Sequence, residues 1–184
     1  MGFKNSNTVW TEVDAAGSSK MIPAGGYVAR ITDVEDVASK EYLRFTYDIA
    51  EGEHKGFFES DDRVYTHQFV RSYKETAKGF MKKFLDCVDE SNDNFTLNGW
   101  NNDERDLVGK LVGIIVQRED YTNNDGDDRA RMNVEDFAKV SDIRAGRFVL
   151  PEPKDNRKEH ADSGQASAST PDTAGSVYDA DIPF

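Results

Sequence analysis

Hydrophobic and polar positions along the chain follow two periods. After the Gly25-Gly26 pair, Tyr27, Ala29 and Ile31 recur at period two, and Leu43, Phe45, Tyr47 and Ile49 alternate with Tyr42, Arg44, Thr46 and Asp48. Period two sends successive side chains to opposite sheet faces, so both segments predict half-buried strands. Gly52 and Gly56 bracket a tight connection into Phe57-Phe58, one of which must point into the core. The stretch Arg63-Val64-Tyr65-Thr66 predicts a third strand. From Val70 the spacing turns helical: Val70, Tyr73, Ala77, Phe80, Met81, Phe84, Leu85 and Val88 form one apolar stripe. Ser72 and Glu75 have capping-box spacing, which predicts a helix start near residue 73. Gly79 inside it costs about 1 kcal/mol relative to Ala, so packing must hold this helix. Leu107 to Tyr121 is again β-rich, and Ala130, Met132 and Val134 alternate with Arg129, Arg131 and Asn133 beyond an Asn123-Asn124-Asp125-Gly126 turn, predicting a final hairpin.

Strand, strand, strand, helix, strand, strand is the order of an OB-fold, a mainly β, five-stranded barrel with its one helix between strands three and four. Such barrels bind single-stranded nucleic acid or oligosaccharide on the face of strands two and three, with help from the loops joining strands one to two and four to five. The pattern breaks at Pro151-Glu152-Pro153, and residues 154 to 178 have few large apolar side chains. Residues 1–150 therefore read as the folded domain. Residues 151–184 read as a disordered acidic tail, because Gly164 to Pro171 has the composition of a linker that cannot offset its ordering entropy.

The 184 residues carry 23 Lys and Arg against 35 Asp and Glu, a net charge of −12. Taken whole, that charge opposes a polyanionic partner. The charge is segregated, however. The tail has seven acids and three bases, leaving −8 on residues 1–150, whereas Arg63, Arg71, Lys74, Lys78, Lys82 and Lys83 face a single acid, Glu75, within one stretch. That basic run is either a phosphate-tracking ridge or the solvated back of a packed helix. Better placed for a strand-binding face are Tyr42 and Arg44 on the second strand and Arg118, Tyr121, Arg129 and Arg131 on the last hairpin. Arg30 on the first strand, Lys55 in the glycine-bracketed turn, and Phe57, Arg63 and Tyr65 toward the third strand complete the candidate set. Aromatic faces stack on any base for about 1–3 kcal/mol, and guanidiniums pair with phosphates, so this mixture suits sequence-tolerant binding. Each aromatic could equally be core.

Other chemistry is excluded or weak. The longest uncharged apolar run, Leu111 to Val116, is far below the roughly 20 residues of a membrane span, and no signal segment opens the chain. A single cysteine, Cys87, allows no intrachain disulfide and no thiolate metal cluster, and is expected to be buried beside the helix stripe. A reducing cytoplasm fits. Gly109-Lys110-Leu111 lacks the residues of a phosphate-binding loop, and the Asp-rich segment before Arg129 reads as a turn because a calcium-loop alignment would put Tyr121 and Met132 at ligand positions. His54, His67 and His160 share no ligand spacing and read as surface residues. Met1-Gly2 with Ser6 matches a myristoylation pattern too common to carry weight. Neither a catalytic constellation nor a cofactor is expected.

The last six residues are the most informative. After the acidic spacer, Asp179-Ala180-Asp181-Ile182-Pro183-Phe184 presents an apolar, aromatic terminus flanked by carboxylates. Pro183 limits the entropy lost on docking, Phe184 fills an apolar hole, and basic residues on a partner clamp Asp179, Asp181 and the α-carboxylate. This tip resembles the Asp-Asp-Asp-Ile-Pro-Phe tip of bacterial single-stranded DNA-binding proteins, with Ala180 replacing one acid. The segment Phe45-Thr46-Tyr47-Asp48-Ile49-Ala50-Glu51-Gly52-Glu53-His54-Lys55-Gly56 and the following helix resemble the single-stranded DNA-binding proteins of tailed bacteriophages. The resemblance implies a non-enzymatic OB-fold protein of the bacterial host cytoplasm that coats single-stranded DNA, or RNA, during replication and recombination. Its tip would recruit polymerase, primase, helicase or nuclease partners through Asp179, Asp181, Ile182, Pro183 and Phe184. The rival is an acidic protein-interaction module, a DNA mimic or adaptor. It would need acids over the outer faces of strands two and five, where Tyr42, Arg44, Arg129 and Arg131 stand.

Overall fold

The computed structural model describes residues 21–59 and 64–158. Within them the chain is mainly antiparallel sheet with one principal helix. The strands are β1 (Gly25–Val37), β2 (Tyr42–Ile49), β3 (Gln68–Ser72), β4 (Leu111–Thr122), β5 (Asp128–Ala138) and the short β6 (Lys154–Asn156); the helices are α1 (Lys78–Asp89) and α2 (Val140–Arg144). The sheet order is β3-β2-β1-β4-β5, with β6 parallel on β4. The first strand is long enough to serve two neighbours: Gly25–Arg30 pair with β4, Ala29–Val37 pair with β2, and a bulge between Ile31 and Asp33 bends it between the two.

Strand-by-strand burial follows the alternation. Phe45, Tyr47 and Ile49 of β2, Ala29 and Ile31 of β1, and Val112, Ile114 and Val116 of β4 line the core. The end strands β3 and β5 share no backbone pairing, so the sheet is not a closed barrel. They meet instead through side chains, with Phe69 and Phe137 ring centroids 5.0 Å apart. Helix α1 packs against this junction, inserting the fully buried Phe84 at 4.9 Å from both Phe45 and Phe137. Arg71 lies at the same junction, its guanidinium 4.3 Å from the Phe137 centroid.

Three local expectations change. The segment read as the third strand is a 3-10 turn, Val64–His67, and β3 is its continuation, Gln68–Ser72. The helix starts at Lys78 rather than near 73, after a 3-10 turn over Glu75–Ala77. Phe69, Arg71 and Tyr73 satisfy period two as readily as their neighbours satisfy period 3.6, and pairing of Phe69 opposite Phe45 decides for the strand. Accordingly the Ser72 hydroxyl donates to the Glu41 carbonyl at 3.0 Å and accepts from the Lys74 N–H at 3.2 Å, tying strand to turn instead of capping a helix. Phe80 leaves the apolar stripe and is 72% exposed.

Order also continues past the expected break at Pro151. Lys154–Asn156 pair with Glu119–Tyr121, on the edge of β4 that β1 occupies further along. Ahead of that strand, α2 and Phe148 lie on the outer side of β1 and β4. Gly26 and Gly113 make the room: a Cβ on Gly113 would stand 2.5 Å from Ile143 Cγ1, and one on Gly26 2.7 Å from the Phe148 ring. No helix among the described residues is long and apolar enough to cross a membrane.

Candidate nucleic-acid interface

The outer face of β2 is built by register. Directly opposite residues share a face, so Glu35, Arg44 and Val70 form one row across β1-β2-β3, and Val37, Tyr42 and Ser72 the next. Arg44 donates from Nη1 to Glu35 Oε2 at 2.7 Å and from Nη2 to the Tyr42 hydroxyl at 3.1 Å, with its guanidinium 5.9 Å from the Tyr42 centroid. Tyr42 itself is only 9% exposed, so it offers an edge and a hydroxyl more than a free face. Arg30 is exposed on β1, opposite Asp48, and reaches the Gly109 carbonyl at 3.4 Å.

The β4–β5 hairpin carries a second cluster beyond the end of β1. Glu119 stands opposite Arg131 and Tyr121 opposite Arg129, so these four share a face. Arg118 lies opposite Met132 on the other face, paired with Asp120 at 2.8 Å, and leaves the expected set. Glu119 organises the cluster. Its carboxylate is buried, accepts from Arg131 Nε at 2.8 Å, from Asn156 Nδ2 at 2.7 Å and from Asn133 Nδ2, and thereby binds β6 to the hairpin. Burial pushes the Glu119 carboxyl up, but the hydrogen bonds from Arg131, Asn156 and Asn133 outweigh it and hold the group below the ordinary carboxylate value. Arg131 thus held lies over Tyr121, 4.8 Å from the ring centroid. Arg129 is exposed and pairs with Asp127 at 3.1 Å.

The turn after β2 supplies a third group. Gly52 and Gly56 have φ of +82° and +71°, a left-handed region that favours glycine, and Asp48 Oδ1 accepts from the Phe58 N–H at 3.0 Å to hold the turn on the strand. Phe58 is core, while Phe57 is half-buried and Lys55 is exposed. His54 lies between Tyr27 and Phe57, with centroids 5.7 and 5.9 Å away. Sequence reasoning missed Tyr27 and His54, one as an inward strand position and the other as a lone surface histidine. His67, also read as surface, is 6% exposed and stacks on Phe58 at 4.8 Å. Cys87 is buried as expected, and burial raises its thiol pKa. The Asp-rich segment is a turn, Asn123 Oδ1 accepting from the N–H groups of Asp125 and Asp127.

The basic run resolves into ion pairs and packing. Lys78 pairs with Glu75, Lys82 with Asp86 and Lys83 with Asp136, while Arg71 packs on Phe137. Arg63 lies outside the described residues, as do Asp179, Asp181, Ile182, Pro183 and Phe184; Tyr65 belongs by its backbone to the 3-10 turn before β3. The structure therefore brings together Tyr42 with Arg44 and Tyr121 with Arg129 and Arg131, as two groups. Register separates them: Tyr42 is opposite Val37 at one end of β1, whereas Tyr121 lies past Val116, the partner of Gly25 at the other.

The chain matches no protein-family model and no curated protein sequence.

Proposed function

We propose that the protein binds single-stranded DNA, without catalysis, through aromatic and guanidinium groups on an OB-like sheet, and recruits replication or recombination proteins through its C-terminal tip. The observation that carries this reading is the pair of Arg–Tyr couples, Arg44 with Tyr42 and Arg131 with Tyr121, on faces turned away from the core. A guanidinium held close to an aromatic ring suits a strand that offers both phosphates and bases. The strand order, with its helix between β3 and β4 and packed where β3 meets β5, supports an OB-type barrel; on this reading the Phe69–Phe137 contact stands where a closing ladder would run. The net charge is compatible, because Arg44, Arg129 and Arg131 are each matched by one carboxylate: Glu35, Asp127 and Glu119. The Arg129–Asp127 and Arg44–Glu35 pairs reach solvent, and such pairs are worth about 0–1 kcal/mol, so phosphates can exchange for those carboxylates at small cost. Arg131, by contrast, keeps the buried Glu119 and offers only its exposed end. Modest rather than tight affinity follows.

The same self-neutralised face gives some support to the acidic adaptor reading. A competition assay separates the two. Labelled oligo(dT) at low salt should be displaced by unlabelled oligo(dT) far better than by duplex of equal length. Displacement by duplex to the same extent, or no binding of oligo(dT), refutes single-strand recognition.

A further inference from the structure

A cleft of about 330 Å³ opens between the start of β1, the glycine-bracketed turn and α2, lined by Tyr27, Glu51, Glu53, His54, Ile143 and Arg144 together with the backbone of Gly26 and Gly52. We propose that this cleft seats one nucleobase of a bound single strand, with its ring against His54 and Tyr27 and its amino edge on Glu53. The proposal rests on the single-strand reading above and locates a base subsite within it.

Five features converge. The cleft falls at the small end of the roughly 300–1,000 Å³ typical of small-molecule and cofactor sites. Tyr27 is held in place by its hydroxyl, which donates to the Pro23 carbonyl at 2.7 Å, so its ring needs little ordering on binding. His54 meets Tyr27 and Phe57 edge to face, at interplanar angles of 71° and 81°, so neither neighbour lies flat against it. Arg144 donates from Nε at 3.0 Å and Nη2 at 2.5 Å to Glu51, which fixes the guanidinium plane at the rim and commits Glu51 to it. Glu53, exposed, remains on the cleft wall as an acceptor, close enough to Tyr27 to help raise its phenol pKa after burial.

A carboxylate acceptor discriminates among bases. Cytosine offers an exocyclic amino donor, whereas thymine presents a carbonyl at the equivalent position, which a carboxylate repels. The subsite therefore prefers cytosine to thymine.

The test titrates the full chain with oligo(dC) and oligo(dT) of equal length, and with dCMP, using wild type, His54→Ala and Glu53→Gln. Both substitutions lie on a surface turn, and circular dichroism checks the fold. Expected are tighter binding of oligo(dC) than oligo(dT) by wild type, about tenfold weaker oligo(dC) binding by His54→Ala, and loss of the dC preference in Glu53→Gln. Oligonucleotide binding by wild type with both variants unchanged overturns the cleft alone. Failure of wild type to bind either oligonucleotide overturns the single-strand reading and the cleft with it. Binding of dCMP as tight as that of oligo(dC) overturns the strand as the source of the base.

Discussion

Glu119 and Arg131 face each other across the β4–β5 hairpin, joined at 2.8 Å, and the guanidinium so positioned covers Tyr121. The buried carboxylate does two jobs at once. It holds the Arg131–Tyr121 couple in one geometry, and through Asn156 it attaches the segment leading to the tail.

Faces decide which arginines matter. Arg131→Ala should weaken oligo(dT) binding and flatten its log–log salt slope by about 1, as expected for one lost phosphate contact. Arg118→Ala, on the opposite face with Asp120, should leave both nearly unchanged. Equal effects from the two variants would contradict the assignment of the binding face.

The Glu119 carboxyl lies below its ordinary value of 4.5 in the folded protein. A group whose folded pKa is depressed binds fewer protons folded than unfolded, so its stabilisation is complete above about 4.5 and is lost as pH falls through the folded value. Thermal melts of wild type should therefore lose stability on acidification relative to Glu119→Gln. A constant difference between the two across pH 7 to 3 would show that Glu119 does not carry this linkage.

The outer layer of α2 depends on the absence of a side chain. Gly113→Ala would place a Cβ 2.5 Å from Ile143 Cγ1 and 2.6 Å from the Ala138 carbonyl oxygen, and should destabilise by about 1–3 kcal/mol in urea unfolding. An unchanged midpoint would mean that α2 does not pack there.

How far these features could be read from the sequence varies with the residues. Strand β2 was legible because Phe45, Tyr47 and Ile49 alternate cleanly with Arg44, Thr46 and Asp48. Around residues 68–77 the two periods overlap, and only the long-range pairing of Phe69 with Phe45 chooses between them. Strand β6 had no signal, since Lys154, Asp155 and Asn156 are all exposed and are held by backbone pairing and the Asn156–Glu119 bond. The separation of Arg118 from Tyr121 was available from odd and even positions alone. The counter-carboxylates of Arg118 and Arg129 stand two residues away, yet Glu35 and Glu119 reach Arg44 and Arg131 only through the sheet register.

The tail should act through its charge. Residues 159–184 carry five acids and no Lys or Arg. The Lys158 N–H donates to Thr122 Oγ1 at 2.8 Å, so that the tail leaves the fold beside the hairpin cluster. Truncation after Lys158, which keeps β6, should raise oligo(dT) affinity at low salt and have little effect at high salt, where screening is strong. Unchanged low-salt affinity would remove the tail as a competitor for the basic groups.

The central claim is that guanidinium and aromatic groups of this sheet hold a single strand, in part through its phosphates. The most direct measurement is a fluorescence-anisotropy titration of labelled oligo(dT) with the full chain at about 20 mM and 200 mM salt. The account predicts saturable binding at low salt that weakens steeply at high salt, because each phosphate contact releases a counterion. No saturable binding at the lower salt, or an affinity that does not change between the two, would contradict it.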